Sequence, residues 1–255
     1  MPEDTSATSQ VALAWRQYRL ERRLFWRNPS AAFFNLGVPL LFFALFGAIF
    51  AGDQDSLNIL VPGIAGMSIV STTFTALAHN MVALREQGVL KRIRGTPLPG
   101  GTYLAGLALH AITNTVVQIA IVLVIGRLVF DVDGLRDPTA LVVFVVVGVV
   151  CFASLGVAFS HLIPSSDAAP AYVNAVFLPL IFVSGVFYDP AKAPGFLVDI
   201  AEILPLVHLV EGLRGAMVTG AGVADEAGSL AVLAVWTAFG VVFAIRGFSW
   251  EARRA

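Results

Sequence analysis

The chain has 255 residues, of which 57% are hydrophobic and 13% charged, and its formal net charge is −1. A soluble domain carries roughly 25% charged residues, so 16 basic and 17 acidic side chains with a mean hydropathy of +0.82 cannot cover a soluble globule of this length. The single cysteine, Cys151, excludes an internal disulfide and a cysteine-based metal cluster.

The first predicted element is an amphipathic helix over residues 11–30, after a disordered N-terminus over residues 1–10. On a helical wheel one stripe is basic, consisting of Arg16, Arg19, Arg23 and Arg27. The opposite side is apolar, with one basic residue, Arg22, at its edge. The apolar side consists of Val11, Trp15, Tyr18, Phe25 and Trp26. This pattern is typical of a helix in the membrane interface, with its arginines toward anionic lipid or a protein partner. A generic topology anchor is the alternative.

Six apolar segments follow, each long enough to cross a bilayer, which requires about 20 residues for roughly 30 Å of hydrocarbon. They are residues 33–51, 57–82, 103–130, 139–162, 171–188 and 229–245. Because no small-residue cleavage pattern closely follows the first segment, we expect all six to be retained. The sequence therefore predicts an all-α integral membrane protein with six transmembrane helices over residues 31–255.

The basic residues are distributed unevenly between the two sides of these spans. Twelve of the 16 lie before the first span, between the second and third, or after the sixth. The other side has only four, Arg127, Arg136, Lys192 and Arg214, together with eleven of the 17 acids. The positive-inside rule therefore predicts that both termini are cytoplasmic.

The cytoplasmic loop over residues 83–102 combines an apolar pair with basic residues. Leu90 and Ile93 are three residues apart, which suits a short amphipathic helix that Gly95 and Pro97 would end. The pair is surrounded by Arg85, Lys91, Arg92 and Arg94. We interpret the loop as a docking element with Leu90 and Ile93 as its apolar plug. The alternative is a cluster that only retains the loop in the cytoplasm.

The third span carries a polar stripe, because His110, Asn114 and Gln118 recur every four residues and share one helical face. Polar side chains at membrane depth turn toward hydrogen-bond partners or water. The stripe, together with Asn174 on the fifth span, therefore either bonds neighbouring helices or lines a translocation path. His79 and Asn80 on the second span have the same two interpretations. No metal site is expected, since the four histidines lie on separate segments without ligand spacing.

The predicted extracellular region, residues 189–228, is too apolar for a free loop between spans five and six. Its apolar stretch, residues 196–210, is interrupted by Asp199, Glu202 and Pro205, so a full crossing is not expected. We predict a re-entrant or interfacial helical hairpin, in which Glu211 and Arg214 can pair locally because they are three residues apart.

Several motifs in this order resemble the permease subunits of type-2 ABC exporters (ABC-2), of the daunorubicin-resistance kind. The most specific is the segment over residues 85–99, REQGVLKRIRGTPLP, which is followed by Tyr103-Leu104-Ala105-Gly106. The others are Arg27-Asn28-Pro29, Val61-Pro62-Gly63, Ser184-Gly185-Val186-Phe187-Tyr188, Leu204-Pro205-Leu206 and Glu211-Gly212-Leu213-Arg214. One departure is Gly100-Gly101, where related sequences often have an arginine.

The resemblance implies a six-span permease that dimerises with a second permease copy and rests on a cytoplasmic ATPase subunit, in two copies. The family's ATPase contact would be made by Arg16, Arg19 and Arg23 of the N-terminal helix and by Arg85, Glu86, Gly88, Leu90, Lys91, Arg92, Ile93 and Arg94 of the loop. The family's outer re-entrant helices would cover residues 193–217, with Pro205, Glu211 and Arg214.

The ATPase has to be another chain. A phosphate-binding P-loop needs a glycine directly before its lysine, and neither lysine here, Lys91 or Lys192, follows one. We therefore expect a non-catalytic transport subunit with no cofactor of its own, ATP and Mg²⁺ being bound by the partner. The predicted function is export of an amphipathic drug, lipid or lipid-linked glycan across a bacterial cell membrane. No nucleic acid partner is expected.

Two other classes of function need sequence features that are missing here. An ion-coupled secondary transporter needs a protonatable carboxylate within a span, and none of the six span cores contains Asp or Glu. A membrane-embedded enzyme needs His, Asp, Ser or Cys clustered at one interface, and the sequence has only scattered single residues of these types.

Overall fold

The computed structural model describes residues 7–94, 100–132, 135–188 and 193–247, and the regular elements in these ranges are all helices. They are α1 (Ala7–Arg27), α2 (Pro29–Ile49), α3 (Gln54–Val70), α4 (Ala76–Glu86), α5 (Val89–Arg94), α6 (Gly100–Phe130), α7 (Pro138–Ser160), α8 (Ala169–Val183), α9 (Gly195–Ala201), α10 (Pro205–Arg214) and α11 (Ala227–Gly247). The protein is an all-α membrane protein. We call the end of the bundle that carries α5 and the C-terminal end of α11 the basic end.

The second span is the centre of the bundle. Helices α3 and α4 form one continuous rod, Gln54–Glu86, through a π-helical turn at Ser71–Thr75, and residues 60–74 are buried without exception. Helices α2 and α6 pack on this rod, as do α7 and α10. Spans one and six lie at the periphery and turn large apolar side chains outward, among them Leu45, Phe239 and Ile245. Such faces are suited to lipid, not to water.

Within the described part of the chain, five helices are long and apolar enough to cross a membrane, and the predicted fifth span differs from them. The structure has the 15-residue helix α8 in place of a span over residues 171–188, and a helix of that length is about 22 Å long at 1.5 Å per residue. Residues 184–188 leave the helix and fold against α3. There, a Cβ atom added to Gly63 would lie 2.1 Å from the carbonyl oxygen of Val186.

The predicted outer hairpin corresponds to α9 and α10. Helix α10 buries Leu206, Leu209 and Leu213 completely against the bundle, where it packs on α3, α7 and α11. Close approach depends on glycine, because a Cβ atom at Gly212 would lie 2.1 Å from a ring carbon of Phe144. Both helices are far shorter than a bilayer crossing, with 7 and 10 residues.

The predicted pair of Glu211 with Arg214 is wrong. The Glu211 carboxylate instead lies 3.5 Å from Nδ1 of His208 and accepts a hydrogen bond from the Ser229 hydroxyl at 3.3 Å. Pro205 occupies the first turn of α10, where its missing N–H costs nothing.

The N-terminal helix packs along the first half of α6 and does not lie apart from the bundle. It begins at Ala7, within the stretch predicted to be disordered, and ends at Arg27. The contact is close enough that a Cβ atom at Gly106 would lie 2.6 Å from Cβ of Gln17. The predicted aromatic face is divided as a result, since Tyr18 contacts α6 through Thr113 while Trp15 remains exposed.

Candidate functional site

A cavity of about 530 Å³ lies in the basic half of the bundle, between α1, α2, the second span and α6. Its volume is within the range of about 300–1,000 Å³ that is typical of sites for drug-sized ligands. The polar residues that line it are Glu21, Asn28, Asn35, Ser71, Thr72, Thr75, His79, Asn80, His110 and Asn114. Polar side chains in membrane-spanning helices need hydrogen-bond partners, and three lining atoms, Oδ1 of Asn35, Oγ1 of Thr75 and Nδ1 of His110, have none within the described part of the chain.

The cavity receives two of the four residues predicted for a translocation path. His110 and Asn114 line it. Gln118 does not, because it is fully buried and its amide donates to the carbonyl of Leu36 on α2 at 3.0 Å. Asn174 lies on the exposed side of α8 and does not line the cavity. The residues of the polar stripe therefore have different surroundings. His110 and Asn114 lie at a cavity wall, whereas Gln118 makes a hydrogen bond between helices.

A chain of hydrogen bonds links α1 to this wall. Arg22 donates from Nη1 to Oδ1 of Asn114 at 2.9 Å, and the Asn114 amide lies 3.1 Å from Nε2 of His110. Since Asn114 accepts through its oxygen, its nitrogen is the donor to His110. This contact explains the one arginine at the apolar edge of the helix: Arg22 faces α6, while the guanidinium also lies over the Trp26 ring at 5.9 Å.

The π-helical turn at Ser71–Thr75 shapes the opposite wall. Such turns interrupt the regular hydrogen-bond ladder and occur frequently at functional sites. The hydroxyl of Thr72 lies 2.8 Å from that of Thr115 on α6, and Nδ1 of His79 donates to the carbonyl of Thr75 at 2.8 Å. The turn thereby presents the hydroxyl side chains of Ser71, Thr72 and Thr75 to the cavity.

Sequence reasoning missed six of the ten polar residues of the cavity, namely Glu21, Asn28, Asn35, Ser71, Thr72 and Thr75. Asn35 is a polar residue within the first apolar segment, so the rule used for the third span would have identified it. Glu21 is half-buried on the α6-facing side of α1, where burial raises the pKa of its carboxyl group and a 2.7 Å hydrogen bond from Gln17 opposes that shift. No sequence signal distinguished it from a solvated acid on a basic helix.

The docking loop has an interior side that the sequence did not reveal. Leu90 is only 3% exposed and belongs to one cluster with Leu77, Met81, Tyr103, Leu107 and Val157. Arg85 is also buried and donates to the carbonyl of Ile163 at 2.9 Å. The interpretation of Leu90 as an exposed plug, with Arg85 on its rim, is therefore wrong. Both residues hold the loop to the bundle.

Other described residues of the loop face outward. Lys91 and Arg92 are exposed on α5, and Gly88 supplies the turn before it with a φ of +68°. The carboxylate of Glu86 accepts hydrogen bonds from the backbone and the hydroxyl of Ser166, which ties this loop to the one between α7 and α8. The side chains of Ile93 and Arg94, and residues 95–99, lie outside the described part of the chain. Three more exposed cations, Arg16, Arg19 and Arg23, project from α1.

Different results are expected when the two buried amides of the third span are replaced separately by leucine. Asn114→Leu removes the partner of Arg22 and His110 at the cavity wall, so we expect altered cargo preference. Gln118→Leu removes a bond between α6 and α2, so we expect a small loss of thermal stability, about 1 kcal/mol, with preference unchanged. Transport of several cargoes by each purified variant checks this, and equal cargo profiles for both variants would contradict the assignment.

Comparison with known proteins identifies a family and several relatives to which this chain is similar. The sequence matches the ABC-2 type transporter family over residues 10–218. Daunorubicin resistance ABC transporter permease protein DrrB1 of Streptomyces coeruleorubidus is 30% identical over 219 residues, which cover 78% of this chain and 75% of the relative. Nodulation protein J of Rhizobium meliloti (strain 1021) is 25% identical over 217 residues, covering 81% and 82%. The putative transport permease ycf38 of Porphyra purpurea is 28% identical over 211 residues, covering 76% and 71%.

Proposed function

The chain belongs to the ABC-2 type transporter family, and from that membership we propose that it is the membrane subunit of an ATP-driven exporter of amphipathic molecules. The observation that carries this proposal is the family match, which spans most of the chain. The protein is a multi-pass transport permease, a class of subunit that does not catalyse a reaction. ATP and Mg²⁺ bind a separate ATPase, because neither lysine of the chain stands in a P-loop.

The ATPase docks at the basic end, on the exposed arginines of α1 and on Lys91 and Arg92 of α5. Helix α1 packs on α6 at Gly106, whereas α5 packs on α4 and places Leu90 in the apolar cluster that also contains Tyr103 and Leu107 of α6. A displacement of either helix by the ATPase therefore moves the segment of α6 that carries His110 and Asn114. In this way the docking surface and the cavity share one rigid support.

The cargo is an amphipathic drug, lipid or lipid-linked glycan, which leaves the inner leaflet of a bacterial cell membrane. A cavity with both polar and apolar walls supports this class, as does the name of the Streptomyces relative, a daunorubicin resistance permease. A second permease copy completes the transporter, and two ATPase subunits supply its energy. We expect both termini in the cytoplasm, with the basic end on that side.

The orientation is testable by cysteine labelling, because the one natural cysteine, Cys151, is buried. Gln87 follows the second span, at the basic end of the bundle, and Ala51 follows the first span, at the opposite end. Both residues are exposed. In intact cells an impermeant maleimide is expected to label Ala51→Cys and to leave Gln87→Cys unlabelled until the membrane is permeabilised. Labelling of Gln87→Cys in intact cells would reject the orientation.

Export itself is tested by reconstitution. The permease is co-expressed with the ATPase that co-purifies with it, and both are placed in proteoliposomes loaded with a fluorescent amphipathic drug. We expect transport that requires ATP and the ATPase. Transport that proceeds without ATP but follows an imposed proton gradient would instead establish the secondary transporter.

A further inference from the structure

We propose that the basic-half cavity is the site where each permease copy first binds its cargo, and that it selects amphipathic organic cations by pairing their charge with Glu21. The inference rests on the proposed export function and adds to it the charge of the cargo and the residue that reads it. The cavity occurs within a single copy of the chain, so binding there does not require the second permease copy.

The residues that line the cavity differ in charge from a neutral pocket. Glu21 is the one ionisable acid among the described residues that line the cavity, and no lysine or arginine is among them. The other polar lining groups are amides, hydroxyls and imidazoles, which hydrogen-bond a ligand without setting its charge. Arg22 bonds to Asn114 of the wall but does not itself line the cavity, so the lining has one carboxylate and no cation, which favours a ligand with one positive charge over an anion.

The carboxylate is available to a ligand because its basic neighbour is engaged elsewhere. Arg22 turns to Asn114 on α6, and Glu21 accepts its hydrogen bond from the neutral amide of Gln17. Burial of a carboxylate without a countercharge costs free energy, as the raised pKa of Glu21 indicates. A bound cation offsets part of that cost, because an opposite charge nearby favours the ionised carboxylate.

The mouth of the cavity indicates where the ligand comes from. Leu24 is 50% and Phe34 65% exposed, and both line the cavity, so it opens to the outside where α1 turns into α2. These apolar side chains flank the entrance at the level where the interfacial helix meets the first span. An amphipathic cation enters from the membrane leaflet with its apolar body between Phe25 and Phe34 and its charge at Glu21.

Binding is measured on the full-length permease in phosphatidylcholine nanodiscs without ATPase or nucleotide. The probes are ethidium, a permanent cation, and Nile red, a neutral amphipath. Glu21→Gln keeps the acceptor for Gln17 and removes the charge; we expect ethidium affinity to fall about tenfold or more while Nile red affinity stays the same. Glu202→Gln changes an exposed acid outside the cavity and serves as the matched control, with both affinities unchanged.

A second variant tests the location. Ala76 lines the cavity, and Ala76→Phe fills part of it, so binding of both probes is expected to fall while the thermal unfolding temperature stays near that of the wild type. The proposal is overturned if the wild type does not bind ethidium, if Glu21→Gln binds it with wild-type affinity, or if a folded Ala76→Phe variant does so. Failure of ATP-driven transport with ethidium binding intact contradicts the export function and leaves this site standing.

Discussion

Replacing Leu90 by aspartate is expected to abolish the folded permease and not merely its contact with the ATPase. The side chain is almost completely buried in a cluster of five other apolar residues. Loss of a buried leucine costs about 2–5 kcal/mol, and an unpaired carboxylate in an apolar site adds a further penalty. Detergent-solubilised Leu90→Asp should therefore aggregate on size-exclusion chromatography, and Leu90→Ala should show a lowered unfolding temperature.

The matched variant changes the outer side of the same short helix. Lys91→Glu combined with Arg92→Glu reverses two exposed charges and leaves the residues of the buried cluster around Leu90 unchanged, so we expect a folded permease that no longer retains the ATPase on co-purification. The loss should be greatest at low salt, where charge pairs at an interface rim contribute most. A monodisperse Leu90→Asp permease that has normal thermal stability but has lost its ATPase would restore Leu90 as the docking plug.

Replacing Gly63 by alanine is expected to disrupt the packing between the second span and the segment after α8. The added Cβ atom would lie 2.1 Å from the carbonyl oxygen of Val186. The main chain fixes the position of a Cβ atom and the carbonyl oxygen belongs to the main chain, so neither can move away by a side-chain rotation. Overpacking costs about 1–3 kcal/mol even where side chains can adjust. We expect a clear fall in the unfolding temperature of the solubilised permease and a lower yield in the membrane.

The control for this prediction is Gly228→Ala in α11. A Cβ atom there would meet nothing within 4 Å, and alanine stabilises a helix relative to glycine by about 0.5–1 kcal/mol. Its unfolding temperature should equal or exceed that of the wild type. If Gly63→Ala is as stable as Gly228→Ala, the segment 184–188 does not pack on α3 as described.

Most of the fold follows from local composition. The predicted third span ended at Phe130, where α6 ends, and the predicted fourth span, residues 139–162, differs from α7 by no more than two residues at either end. Apolar length and charge bias report on the transfer of a segment from water to lipid, a property that each segment has by itself. The fifth span was the exception, because residues 184–187 are buried by tertiary packing and not within a longer helix.

The candidate site could be predicted only in part. The polar stripe on the third span placed His110 and Asn114 on one helical face, and the structure assigns that face to a cavity wall. Glu21 was missed, because a single acid in a basic helix has no periodic signal. The different roles of Asn114 and Gln118 were missed as well, because both residues fit the same four-residue spacing.

The sequence by itself therefore determined which segments are apolar enough to enter a membrane, where the basic residues lie between them, and which face of each amphipathic helix is apolar. Only the tertiary structure decided what covers those faces. Leu90 has the spacing of a docking plug, yet the chain's own second and third spans cover it, and Arg22 lies among apolar residues because Asn114 on another helix accepts its hydrogen bond. Periodicity records that a side chain avoids water or needs a partner, whereas the identity of the partner depends on contacts between segments that are distant in the chain.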